Sequence, residues 1–496
     1  MTLTELMPFS VLVPLIASAV CALLPGRFWP WALTMAAAIT SAVICALVLP
    51  AAMVGTLSYA FGNWPPPIGI EYRVDGANAF VALLVAGMAA VTLPWAKTSV
   101  DKEVPERQGV FYALFLLAFA GLMGITMTGD AFNVFVFLEI SSLATYALIA
   151  HGRDRRALLA SFRYLIMGTV GATFLLIGIG FLYMMTGTLN MADLAERIPE
   201  ISDTRTVRAA LAFIIVGMGL KLAMLPLHLW LPNAYTYAPS FITVFLASTA
   251  TKVALYVMLR FVFTVFAPDY SFVVLPLAMV LMVLAIAGMF AGSWVAMFQA
   301  NLKRMLAYSS VAQVGYMILG VSLVSLGGLT ASFLHLFNHA LIKGALFMAL
   351  GTVIYQVGSP RIEAIRGLGR QMPWTLTAFA LAGLSLIGVP TTVGFISKWY
   401  LILASMEAGL WWLVMLILIT SLMAVYYIWR VIEAAWFQPR PADAPAVGEA
   451  PLTLLIPVWF LVFLNFYFGI DTRLTVGGAT AAAEALLSPT GFGLSP

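Results

Sequence analysis

Long apolar runs recur along almost the whole of this chain, each about as long as a helix must be to cross a lipid bilayer. About 20 apolar residues span the hydrocarbon core as a helix, and a helix satisfies its backbone hydrogen bonds within the segment, as lipid requires. Runs bounded by charge, Gly or Pro predict fourteen spans, at 7–25, 30–52, 76–96, 109–127, 130–150, 159–186, 207–232, 240–266, 272–298, 302–321, 328–356, 373–403, 410–433 and 452–470. The fold class is therefore all-α and polytopic, about fourteen transmembrane helices in a bilayer, and no soluble domain fits between them. Only 9% of residues are charged, against about 25% in soluble domains.

Spans seven and twelve are too long for straight helices, and each contains a proline, Pro226 or Pro390. They are predicted to be broken helices. Spans four to eight and nine to thirteen form two blocks of five, each with its broken helix fourth. An odd number of helices per block inverts the second relative to the first, an arrangement that forms transport sites near the midplane. The expected organisation is a three-helix segment over 1–108, a first five-helix repeat over 109–266, a second, inverted repeat over 272–433, and a loop with the last helix over 434–496.

With Glu5 and no basic region before its first apolar run, the N-terminus reads as a retained span rather than a cleaved signal. If both termini face outside, the inner loops hold fourteen Lys and Arg and the outer loops five, the asymmetry expected of a cell inner (cytoplasmic) membrane protein. Cys21 and Cys45 lie in apolar runs and read as packing residues without a disulfide or metal framework. The net charge of +4 reflects loop distribution. No basic stripe with interleaved aromatics suggests nucleic acid as a partner.

A short set of ionisable residues lies deep in apolar sequence: Glu139, Lys221, Lys252, His335, His339, Lys343 and Lys398. A lysine near the bilayer centre costs roughly 2.5–3.5 kcal/mol on insertion scales, and Lys221 shares the stretch Gly217–Asn233 with Pro226 and His228. Burial disfavours the charged form of a lysine, so a buried lysine can release its proton and pass it on. Glu139 beside Lys221 would oppose that release, which makes the two a candidate switch. Arg163, Arg260 and Glu433, near span ends, read instead as snorkelling or assembly-pairing groups.

His335, His339 and Lys343 stand at i, i+4 and i+8, along one helical face. That face suits a proton wire, structural hydrogen bonding, or, for the two histidines alone, a metal helix without an acidic third ligand nearby. His228 either links the break to the relay or satisfies a carbonyl freed by Pro226. Ser141, Ser142, Thr145, Ser248, Thr249, Thr251, Ser309, Ser310 and Gln313 either hold waters between the charges or join helices. No phosphate-binding loop follows the Gly-Met-Gly at 217–219. No cofactor and no metal is expected.

The stretches KLAMLPLHLWLPNAY, TKVALYVMLR, NLKRMLAYSSVAQVGYM, HLFNHALIKGALF and LIGVPTTVGFISKWYLI, in this order, resemble the antiporter-like subunits shared by Mrp-type cation/proton antiporters, respiratory complex I and membrane-bound hydrogenases. The resemblance implies a proton channel with Glu139, Lys221, Lys252, Lys343 and Lys398 at relay positions and His335 and His339 bridging. Lys398 and Gln313 look more like the D-type member of Mrp antiporters than the middle complex I member, where an acid and a histidine are expected. Fourteen spans, without a lateral-helix extension or an added C-terminal region, point the same way. Asn233 departs from the aspartate usual after the Leu-Pro.

The implied function is that of a proton-translocating subunit of a multisubunit Na+/H+ antiporter, a secondary transporter subunit rather than an enzyme. Its expected partners are a large A-type and a small C-type subunit, with protons and Na+ as cargo. The alternative is a proton-pumping subunit of a complex I-like or hydrogenase redox complex, the redox groups residing in partner subunits.

Overall fold

In lipid the backbone is satisfied helix by helix, and 79% of the chain is helical. The computed structural model describes residues 2–442 and 444–488. Met1, Asp443 and 489–496 lie outside the described residues, and with them parts of the expected 1–108 and 434–496 segments.

The chain opens with α1 (Leu3–Leu23) and α2 (Phe28–Ala52), then a two-stranded antiparallel hairpin, β1 (Leu57–Ala60) and β2 (Glu71–Val74). Next come α3 (Gly76–Glu103), α4 (Gln108–Met127), α5 (Ala131–Ala150), α6 (Arg156–Thr186) and a short surface helix α7 (Met191–Ile201). The seventh crossing is broken into α8 (Arg205–Leu222) and α9 (Trp230–Tyr237). The eighth is α10 (Ser240–Ser248) and α11 (Ala250–Leu259), extended by a π-helical turn at Arg260–Val265. The second block holds α12 (Leu277–Met297), α13 (Leu302–Ser322), α14 (Leu326–Val357), the broken pair α15 (Pro373–Ile387) and α16 (Val393–Glu407), and α17 (Trp411–Trp436). The chain closes with α18 (Leu452–Ile470) and α19 (Arg473–Leu487).

Twelve helices among the described residues are long and apolar enough to cross a bilayer. The two broken pairs complete the expected fourteen crossings. Packing repeats between the blocks: α4 packs on α5 and α6 on α8 in the first, α12 on α13 and α14 on α16 in the second. Contacts between helix ends fix the parity of the crossings. On one face the Glu103 carboxylate, closing α3, accepts from Ser240 N at 2.7 Å, and Lys303, at the start of α13, donates to Ala238 O at 3.0 Å. On the other, Asp75 before α3 binds Arg260 at the far end of the eighth crossing through two 2.8 Å contacts.

Helix starts follow polar caps. Asp75 accepts from Ala77 N and Asn78 N, while Asn78 returns the bond to Asp75 N. Asp130, Asn190, Asn301 and Ser325 cap α5, α7, α13 and α14. Each satisfies backbone donors that a helix cannot satisfy itself.

The hairpin, α7 and α19 have no counterpart among the expected spans, because each is too short or too polar to register as one. Glu71 ties two of them together: buried in β2, it accepts from Ser58 Oγ at 2.5 Å and from Asn190 Nδ2, capping α7, at 2.8 Å. Other edges differ. α3 runs past the expected end at 96 to Glu103, and α12 starts at Leu277 rather than 272, because Asp269–Val274 forms a separate π turn. Of the residues read as snorkelling or pairing, Arg260 is a buried pairing residue.

Candidate functional site

Lys221 is the penultimate residue of α8, at the first break. The helix stops where Ala223 takes a left-handed φ of +60° and returns its N–H to Gly219 O and Leu220 O. Trp230 Nε1 donates to Leu220 O at 2.8 Å, so an indole from the far side of the break satisfies a carbonyl the broken helix leaves open. The Trp230 ring stacks on Tyr164 at 3.9 Å, and Tyr164 meets Tyr146 edge-on. A Cβ on Gly217 would stand 2.6 Å from Gly171 O, so α8 and α6 touch backbone to backbone one turn before Lys221.

Within this frame Lys221 Nζ lies 3.7 Å from Glu139 Oε1 on α5 and donates to Ser142 Oγ at 2.8 Å and, at 3.5 Å, to Tyr146 OH. Lys221 is buried, whereas the Glu139 side chain is 23% exposed, so the pair spans the edge of the packed interior. A cavity of about 40 Å³ opens beside Lys221, walled by Ser141, Ser142 and Thr145 on one side and Ala250, Val253 and Ala254 of α11 on the other. Water needs roughly 10–15 Å³ and two or more polar partners, and both conditions hold here.

Lys252 is fully buried on α11, just after a kink at Thr249 (φ −128°, ψ −55°). Its ammonium donates to Ala247 O at that kink and to Thr251 Oγ1 at 3.4 Å. Lys343, also fully buried, donates to Leu306 O at 2.8 Å and to Ser309 Oγ on α13. Lys398 donates to Leu386 O at 3.2 Å, Ile387 O at 2.7 Å and Ser421 Oγ at 3.0 Å. Leu386 and Ile387 end α15, so Lys398 reaches back from α16 to cap the other half of its own broken crossing. Lys252, Lys343 and Lys398 therefore rest on carbonyls and hydroxyls rather than carboxylates. Such partners hold an ammonium in place without a full counter-charge.

The face of α14 is assembled as its spacing suggests. His335 bonds Ser397 Oγ through Nδ1 at 2.8 Å and Gln313 Oε1 through Nε2 at 2.9 Å. His339 stacks near-parallel to His335 at 6.0 Å, is fully buried, and neither ring nitrogen has a hydrogen-bond partner among the described residues. Tyr316 joins the group: its ring lies 5.6 Å from that of His335 and 5.0 Å from Lys398 Nζ, and its hydroxyl pairs with Thr420 Oγ1 at 2.6 Å. Among the described residues no set of three metal-capable side chains includes the two histidines.

The structure thus forms two clusters, Glu139 with Lys221, and Gln313, His335, Ser397 and Lys398. Lys252, His339 and Lys343 belong to neither hydrogen-bonded cluster: His339 stacks on His335, Lys343 binds Ser309, and Lys252 sits on α11, whose Ala250, Val253 and Ala254 wall the cavity beside Lys221. His228 stands apart. It lies in the turn of the first break with Nδ1 unpartnered among the described residues and its ring 6.3 Å from that of Tyr308. Of the short polar residues that could hold waters or join helices, Ser142, Thr251, Ser309 and Gln313 touch ionisable groups. Tyr146, Tyr316, Ser397 and Ser421 do so too, though the sequence does not single them out. Only Ser397, adjacent to Lys398, carries any sequence signal.

Residues 128–424 match the family described as NADH:quinone oxidoreductase/Mrp antiporter, TM. The NADH-quinone oxidoreductase subunit N of Desulforudis audaxviator is 45% identical over 415 residues, 81% of this chain and 82% of that one. The D-type subunit of the Na(+)/H(+) antiporter of Bacillus subtilis is 32% identical over 467 residues, 92% of this chain and 91% of that one. A chain of the Mrp complex from Dietzia superposes with a TM-score of 0.91 at 25% identity, covering 99% of both chains. With the fourteen crossings, the two breaks and the buried lysines, these matches show that the chain belongs to the NADH:quinone oxidoreductase/Mrp antiporter transmembrane family, as an antiporter-like membrane subunit of the Mrp or complex I-like kind.

Proposed function

We propose that the chain carries protons across the cell inner membrane as the D-type subunit of a multisubunit monovalent cation (Na+)/H+ antiporter, with A-type and C-type subunits among its partners. The observation that carries this reading is a set of buried ionisable groups, Lys221, Lys252, His335, His339, Lys343 and Lys398, with half-buried Glu139 beside Lys221 at the first broken crossing and Lys398 on the second. A proton enters near the Glu139–Lys221 pair, passes through Lys252 and the histidine face, and leaves near Lys398. His228 acts at the entry break. The fourteen-charge face, with Glu103, Ala238 and Lys303, is the cytoplasmic one. The antiporter reading is favoured by likeness to the D-type antiporter subunit over 92% of the chain and by the 0.91 TM-score to a chain of the Mrp complex. Lys221→Ala in the assembled complex is expected to lower cation/proton exchange at least tenfold; unchanged exchange would refute the relay.

A second reading, a proton-translocating subunit of a redox complex, is favoured by the 45% identity to a subunit N. The subunits that co-purify decide between them: small cation-antiporter subunits support the first, cluster-bearing hydrophilic subunits the second.

A further inference from the structure

Away from the relay, the face that carries Glu103 and Lys303 holds a cavity of about 310 Å³ between the end of α3, the α5–α6 turn, the α9–α10 junction, the start of α13 and the end of α14. Five cations line it, Lys102, Arg153, Arg156, Lys303 and Arg361, against two carboxylates, Glu103 and Asp154. Both carboxylates are already engaged. Glu103 caps α10 through Ser240 N, and Asp154 pairs with Arg156, whose hydrogen bonds hold its carboxyl down to about 2. The other cations make no ion pair among the described residues. Lys102 donates to Tyr355 O, Arg153 to the carbonyls of Lys102 and Glu103, and Lys303 to Ala238 O. Arg361 is exposed and its guanidinium meets no acceptor among the described residues. Ser240 Oγ, buried in the wall, has no hydrogen-bond partner among them. A cluster of five cations with one ion pair among them, beside an unused hydroxyl, is complementary to a group with several anionic oxygens.

We propose that this cavity binds the phosphate of an anionic phospholipid headgroup. Its wall favours a lipid over a soluble anion. Ile354, Pro239 and the rings of Tyr237 and Tyr355 line it, with Arg156 and Lys102 seated over those two rings at 4.8 and 4.2 Å. Tyrosines beside cations are typical of the headgroup level. Arg156 also opens α6, whose next turns present Leu158, Leu159 and Phe162 outward at 49–62% exposure. The acyl chains of a lipid held by its phosphate have that apolar ridge to lie along. Basic pockets at the ends of transmembrane helices recognise headgroups in this way.

The test is native mass spectrometry of the full chain in detergent, given equal amounts of phosphatidylglycerol and phosphatidylcholine. Phosphatidylglycerol is expected to be retained at least tenfold over phosphatidylcholine. Each surface cation contributes about fivefold to anionic lipid binding, so Lys102→Gln/Arg153→Gln/Arg361→Gln is expected to lose about a hundredfold. Arg361→Gln alone, whose side chain holds no part of the fold, is expected to lose about fivefold and decides the matter if the triple variant does not fold. Arg205→Gln, exposed on the opposite face, is expected to change nothing. Equal retention of the two lipids, or retention unaltered in Arg361→Gln, would overturn the proposal. So would displacement of the lipid by 1 mM inorganic phosphate, which would make the occupant a soluble anion.

Discussion

Gly394→Ala tests whether the second break must close as tightly as it does for protons to pass. A Cβ at Gly394 would stand 1.7 Å from Ser385 O, where ordinary contact begins at 3.4 Å, and the obstacle is backbone rather than a flexible side-chain end. The start of α16 must therefore move away from α15 by about 1.7 Å, carrying Ser397 and Lys398 with it. The Lys398–Ile387 bond of 2.7 Å, made across that same gap, then stretches to as much as about 4.4 Å, and the 2.8 Å Ser397–His335 bond to α14 is displaced from its 2.6–3.2 Å range for direct proton passage. Misplacement of about 1 Å can cost on the order of a hundredfold in a reacting geometry, so a fall in exchange of tenfold to a hundredfold is expected. The assay is cation-driven proton movement, followed with a pH-sensitive dye, in proteoliposomes holding the assembled complex. Gly180→Ala on α6 is the control, since nothing lies within 4 Å of its added Cβ. If Gly394→Ala assembles normally and exchanges within twofold of the unaltered complex, the close approach of α15 and α16 is not part of the pathway.

If Glu139 and Lys221 act as one unit, Glu139→Ala and Lys221→Ala each lower exchange at least tenfold and the double variant falls no further; multiplying losses would show independent roles. Asp75→Asn removes a bidentate carboxylate from the buried Arg260, at an expected cost of about 3–5 kcal/mol. Thermal unfolding of the solubilised protein measures it, and a loss below about 1 kcal/mol would mean that the pair does not clamp α3 to the eighth crossing. Ser397→Ala, which leaves His335 with Gln313 as its hydrogen-bond partner, is expected to slow exchange several-fold without altering stability, as compared by exchange assay and melting on one preparation.

Why the fourteen crossings are legible in the sequence and their accessories are not follows from how lipid selects sequence. A span must be apolar over its whole length, so the runs 302–321 and 452–470 fall within a residue of α13 and α18. Proline in an overlong span likewise marks both breaks. The hairpin, α7 and α19 carry no such signature, because they are held by contacts from distant parts of the chain, as Glu71 holds Asn190. The exact break points are also hidden. α8 ends at Leu222 because Ala223 turns left-handed, four residues before helix geometry would stop at Pro226 itself.

The sequence by itself determined the class of fold, the number of crossings, the blocks of five, and which ionisable groups lie deep in apolar sequence. Their rarity in apolar sequence is a local property, readable residue by residue. Only the tertiary structure decided what each group meets: that Lys221 has a carboxylate beside it, that Lys252 and Lys398 rest on carbonyls near a kink or break in their own crossings, and that Tyr316 and Ser397 join the histidine face. Those partners lie far apart in the chain, Tyr316 and Thr420 by 104 residues. Which side chains converge is fixed by how helices pack, and backbone contacts such as those of Gly171 with Gly217 and of Gly394 with Ser385 set that packing to within a fraction of an ångström.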